Sequence, residues 1–209
     1  MSPTLAQFKC ANANAAVERR RTIVHPAYFK RRVAPKPVDV YFHVTSTEAH
    51  KDRVADTVVV AQFKVLQSTY QRHGFELNLV NVSRTVDDAY ISWRRATRCG
   101  GYNALNVYFF SDLNEFVGGQ CNMPTNATAG TDAFYQDGCW INGDTIQGLG
   151  PKSGNGMGMS SEGHIAVHEV GHWLGLLHTF EGVDLCDEVN DGIADTPAIA
   201  TPSWGCPIV

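Results

Sequence analysis

The sequence predicts an α+β domain built on a mixed sheet. Two observations carry that expectation. Apolar residues alternate with period two at Val38–Val44 and Phe75–Leu79, and a short apolar run recurs at Leu105–Phe110, the pattern of half-buried and buried strands. Amphipathic stretches at 52–73 and 162–174 fall between or after those segments, and strands alternating with helices form a sheet backed by helices.

The elements follow in order. "VDVYFHV" sets Val38, Val40, Phe42 and Val44 against Asp39, Tyr41 and His43, so it reads as a strand. Residues 52–73 read as a helix stopped by Gly74. Phe75, Leu77 and Leu79 give a second strand, and "VDDAYISWRRATR" a helix stopped by Gly100 and Gly101. "LNVYFF" is a third, buried strand. From 116 to 146 the chain is rich in Gly, Asn, Thr and Asp. There "FVGGQC" and "DAFYQDGCWI" read as two short strands of a hairpin stapled by Cys121–Cys139. "GLGPKSGNGMGMSSEG" is a loop, with Ser160 or Ser161 as the N-cap of a last helix from Glu162 to Leu174. The chain after His178 reads as loop.

Composition narrows the class. The 209 residues are 44% hydrophobic and 18% charged, ordinary for a globular protein. No apolar run reaches the ~18 residues of a membrane span, so no membrane partner is expected. Residues 1–36 carry eight Lys/Arg and one acid, and the remainder nine Lys/Arg and 20 Asp/Glu. A basic arm ahead of an acidic body suggests two units, a leader over 1–37 and a domain over 38–209. The arm lacks interleaved aromatics, so nucleic acid is not an expected partner. Six cysteines include no C-x-x-C pair, which speaks against a structural zinc site and for disulfides in an oxidising compartment. Sequons at Asn81 and Asn126 agree with secretion. The opening residues lack the apolar core of a signal peptide, so the chain is expected to lack its native N-terminus.

The chemistry concentrates in "HEVGHWLGLLH", His168 to His178. His168 and His172 are four apart and share a helical face. Two imidazoles there can reach one zinc ion, and a catalytic zinc site takes three protein ligands and keeps a position open. Gly175 accounts for the third histidine. A residue without Cβ can take φ > 0, end the helix and turn the chain so that His178 returns to the metal. Glu169, beside the first ligand, is placed to act as general base. That neighbouring carboxylate favours hydrolysis by zinc over copper or iron chemistry.

"HEVGHWLGLLHTF" resembles the zinc signature of metzincin metalloproteases, and within them the pappalysin family. "LLHTFEG" and "DGIADTP" (191–197) sharpen the resemblance, which extends over 37–209 and also touches "VDVYFHV", "LNVYFF" and "DGC", similar to segments of secreted fungal members. It implies a metzincin-like N-terminal lobe: a twisted mixed sheet with backing and active-site helices, and a cleft under an edge strand. It implies His168, His172 and His178 as zinc ligands, Glu169 as catalytic base, and extended polypeptide substrates paired to an edge strand within Phe116–Cys121 of a monomer. It also implies a calcium loop supplied by Asp191, Asp195 and Thr196, and a disulfide between Cys186 and Cys206. Cys10 in the leader is the candidate for a zymogen's cysteine switch, with a Cys10–Cys99 disulfide or a free thiol as the alternatives.

The family pattern also places a methionine turn after the third ligand. The four methionines, Met1, Met123, Met157 and Met159, all precede His168. The chain is therefore expected to be C-terminally truncated, with the C-terminal lobe largely missing. Two function classes follow: a secreted zinc endopeptidase, or an inactive zinc-binding fragment or secreted binding module.

Overall fold

A computed structural model describes residues 34–88, 93–111, 117–149, 162–180, 191–193, 196, 199 and 202. Residues 33–175 belong to one compact unit, and those from Leu176 onward to a second.

In the first unit a five-stranded sheet carries the fold. Its strands are β1 (Lys36–Ser46), β2 (Phe75–Val86), β3 (Leu105–Phe110), β4 (Gly119–Cys121) and β5 (Cys139–Asn142). Their spatial order is β2-β1-β3-β5-β4, so β1, β3 and β5 are interior and β2 and β4 form the edges. β2, β1, β3 and β5 run parallel, and β4 alone runs antiparallel to β5. The mixed sheet expected from the sequence is present.

Alternation decides the faces. Register pairs Val40 with Leu105, Phe42 with Val107 and Val44 with Phe109, then Val107 with Cys139 and Phe109 with Ile141. These side chains form one apolar face, and all are buried. α1 (Asp56–Gln71) and α4 (His164–Trp173) contribute Val59, Leu66, Tyr70, Ala166 and Val170 to the same core. Phe42 meets Phe109 edge-on with ring centroids 4.9 Å apart, a geometry favoured by the aromatic quadrupole.

The opposite face buries polar groups, and His43 and Asn106 bond one another there. Asn106 donates from Nδ2 to the carbonyls of Cys99 and Ala104. Its Oδ1 must therefore accept, and it lies 2.9 Å from His43 Nε2. That places a proton on Nε2, and Nδ1 shares a 2.7 Å hydrogen bond with the Ser83 hydroxyl. Tyr108 stacks on the ring at 4.5 Å. Burial of the ring favours its uncharged form.

Three expectations need correction. The helix expected over Val86–Arg98 starts later: β2 runs on to Val86, α2 is described over Trp93–Thr97, and 89–92 lie outside the described residues. "DAFYQ" is not a strand but the short helix α3 (Asp132–Gln136), because Thr131 accepts the Phe134 N–H and caps it. The strand begins only at Cys139, after Gly138 at φ +123° lets the backbone close on the Asn106 carbonyl. Third, α4 begins at His164 on Gly163, not on a serine; Ser160 and Ser161 lie outside the described residues. Gly74 stops α1 as expected, at φ +80°. No helix among the described residues is long and apolar enough to cross a membrane.

The buried His43 makes stability depend on pH. Burial, chiefly, holds its pKa below the ordinary value of about 6.5. The unfolded chain therefore binds the proton more readily than the folded one. Stability is full above pH ~6.5 and falls as pH drops from there towards the folded value. His43→Gln removes that titration. Denaturant unfolding of both chains between pH 7.5 and pH 5 is expected to show a steeper loss for the parent; equal slopes would refute it.

Candidate metal centre

α4 is short and two-sided. Ala166, Val170 and Gly171 are buried, while His168 is exposed and His172 half-buried on another face. The i,i+4 spacing brings the two imidazoles together, with Nε2 atoms 3.1 Å apart and ring planes crossed at 87°. Glu169 sits between those faces and is only 8% exposed.

The edge strand makes room for Glu169. A Cβ on Gly119 of β4 would stand 3.0 Å from Glu169 Cγ and 2.9 Å from the Trp140 carbonyl. A side chain at 119 would push on the glutamate or on the strand pairing. β4 itself is pinned to β5 by a disulfide between Cys121 and Cys139, which are direct partners in the register. The expected staple has formed, and the strand expected within 116–121 is the sheet's edge over 119–121; Phe116 lies outside the described residues.

The C-terminal end of α4 is tied down as well. Trp173 donates from Nε1 to Asp137 at 2.9 Å, and Asp137 also accepts from Arg98 at 2.7 Å. Both members of that ion pair are buried. Burial raises the Asp137 pKa, while the bonds from Arg98 and Trp173 and the nearby guanidinium charges pull it down. The Arg98 guanidinium also lies over the Phe134 ring at 3.9 Å, a cation–π contact.

The helix ends as the motif anticipates. Leu174 donates to the Val170 carbonyl and Gly175 to that of His172 at 2.8 Å. Gly175 then takes φ +97°, the left-handed turn that glycine allows. His178 belongs to the second unit, where its ring stacks on Phe180 at 4.7 Å. There, too, Asp191 accepts the Ile193 N–H, and Thr196 donates to the Ile193 carbonyl. Asp195, Cys10, Cys186 and Cys206 lie outside the described residues. Cys99 is a free thiol, with its Sγ 3.3 Å from the Thr97 carbonyl. Asn81, on the outer strand β2, and Asn126 are both exposed.

Residues 102–204 match the model of peptidase family M43, described as pregnancy-associated plasma protein-A. Extracellular metalloprotease 1 of Coccidioides posadasii (strain C735) is 37% identical over 202 residues, covering 92% of this chain and 70% of that protein. This chain belongs to the M43, or pappalysin, family of metalloproteases. Similar too are the extracellular metalloproteases of Uncinocarpus reesii (strain UAMH 1704), 38% identical over 81% of this chain, and of Sordaria macrospora, 39% identical over 81%. The M43 chain spans 60% and 59% of the length of those two. The family and the α+β architecture expected from the sequence are confirmed, with a mixed sheet that suits a metzincin-like N-terminal lobe.

Sequence reasoning missed Gly119 and the Asp137–Trp173 tether. Asp137→Ala leaves the Arg98 guanidinium buried without its carboxylate. Breaking such a pair costs about 3–5 kcal/mol, and chemical denaturation is expected to show a loss of that order. A change under about 1 kcal/mol would show that the pair contributes little.

Proposed function

We propose that this M43 chain carries the zinc site of a secreted endopeptidase, with His168, His172 and His178 as ligands and Glu169 as general base. The observation behind this reading is the imidazole pair on α4, with Nε2 atoms 3.1 Å apart. Two nitrogens at ~2.0–2.1 Å from a tetrahedral ion lie roughly 3.3 Å apart, so the pair fits one zinc. The turn at Gly175, φ +97°, supports His178 as the third ligand, because the chain leaves the helix axis three residues before it. Neutral imidazoles in a set of three suit catalytic zinc, which keeps a fourth position open.

Zinc, when bound, polarises the substrate carbonyl and lowers the pKa of water towards ~7. The rest falls to the protein. Glu169 takes a proton from the attacking water and hands it to the leaving amine. Its burial beneath the edge strand restricts where the carboxylate can go, and Gly119 leaves its side chain the space. An extended polypeptide lies along β4, adding main-chain hydrogen bonds to the sheet edge.

The relatives named extracellular support secretion, as does the Cys121–Cys139 disulfide. The exposed Asn81 and Asn126 are glycan acceptors in that compartment. Calcium on Asp191, Asp195 and Thr196, a Cys186–Cys206 bridge, a Cys10 switch and a monomeric state rest on the family resemblance.

The test is casein hydrolysis by the full chain with zinc supplied. Chelator is expected to abolish cleavage and zinc to restore it. Glu169→Ala is expected to keep its zinc and lose about 10²–10⁴-fold in kcat. A zinc-loaded parent that cleaves nothing would instead identify an inactive binding module. Equal rates for parent and variant would remove Glu169 from the chemistry.

A further inference from the structure

α4 is gripped from behind by polar groups that the proposed chemistry does not use. Gln62 of α1 is 0% exposed, in a stripe otherwise built from Val59, Leu66 and Tyr70. Both ends of its amide are engaged. Oε1 accepts from the Gln147 N–H at 3.0 Å, and Nε2 donates to the Gly163 carbonyl at 3.1 Å. Gly163 is the N-cap of α4, at φ +76°, and has no side chain of its own to close the helix. A Cβ there would stand 2.6 Å from Gln62 Oε1. One helical turn on, the Tyr70 hydroxyl donates to the Val167 carbonyl at 2.8 Å.

Those two carbonyls sit at the start of the turns that carry the histidines. Val167 immediately precedes His168. In helix geometry its carbonyl also receives the N–H four residues on, that of Gly171, which immediately precedes His172. The Tyr70 bond uses the carbonyl's second lone pair and so holds the turn from which both imidazoles project.

The geometry tolerates little slack. A side-chain nitrogen lies about 6 Å from a helix axis, so a 10° roll of the helix moves it by about 1 Å. Metal–ligand distances are held to about ±0.2 Å. Apolar contact through Ala166 and Val170 resists separation of the helix from the sheet. It resists roll weakly, because small side chains interlock little. Directional hydrogen bonds to two successive turns fix both roll and axial position.

We propose that Gln62 and Tyr70 are positioning residues for the metal-binding histidines of α4. The assignment rests on the zinc reading above, and zinc affinity tests the two separately. The experiment is chelator-competition titration of zinc on the full chain, beside thermal unfolding of the metal-free chain. The parent is expected to bind one zinc. Gln62→Met and Tyr70→Phe are each expected to bind it about 10–100-fold more weakly, while the metal-free forms still unfold cooperatively. Gly163→Ala is expected to lose affinity too, and part of that loss is regained in Gln62→Ala/Gly163→Ala, where the amide no longer meets the new Cβ. Val60→Ala, at an exposed position of the same helix, is expected to bind as the parent does. Tyr70→Phe deletes a single hydroxyl, so it reports even if Gln62→Met does not fold. Unchanged zinc affinity with a lowered melting temperature would overturn the assignment and leave α1 as plain packing. A parent that binds no zinc would overturn the zinc reading, and the assignment with it.

Discussion

The burial of Ala166 and Val170 of α4 against the sheet is the contact on which the site depends. It brings the helix close to the interior strands and commits its opposite side to His168 and His172. The two demands compete. A face built from small residues allows close approach but contributes modest apolar area, at about 25 cal/mol per Å². The helix is also only ten residues long, too short to persist alone in water. Its position therefore comes from neighbours: α1 behind it, Asp137 at its C-terminal end, and β4 along its side.

The sheet order explains why those neighbours are available. The interior strands β1, β3 and β5 are parallel, and parallel strands need crossovers that lay helices on the faces. α1 is the crossover between β1 and β2, which places it on the face that α4 also covers. The other face is covered differently. It buries His43 and Asn106, and nearby the Arg98–Asp137 pair, in a connected polar layer. Trp173 joins that layer to α4 through Asp137.

What was legible in the sequence was what is local. The strands were readable because alternating apolar residues make a face without reference to anything else. The approach of His168 to His172 and the turn at Gly175 were readable because these residues act on neighbours within two turns. Capping was misread where local signals competed: "DAFYQDGCWI" looked like a strand until Thr131 capped its first half into α3. The supporting shell was invisible because its contacts are remote. Gln62 meets Gly163 across 101 positions, and Tyr70 meets Val167 across 97. One trace was available: a glutamine between Val59 and Leu66 in the buried stripe of a helix is a polar group that must find partners.

β4 shows how remote constraints converge on one residue. A three-residue edge strand paired on one side has little to fix its register. A one-residue slip would turn every side chain to the other face. It would also carry Gln120 into the place of Gly119, driving a Cβ into the space that Glu169 Cγ and the Trp140 carbonyl now occupy. The Cys121–Cys139 bond joins register partners two residues from Gly119, so the slipped pairing cannot form while it is intact. In the chain-entropy account, closing a loop with a separation of 18 residues stabilises by about 3 kcal/mol. Its second effect is geometric. The disulfide keeps a glycine beside the glutamate, and a covalent bond in the hairpin thereby sets the space around the carboxylate on the helix.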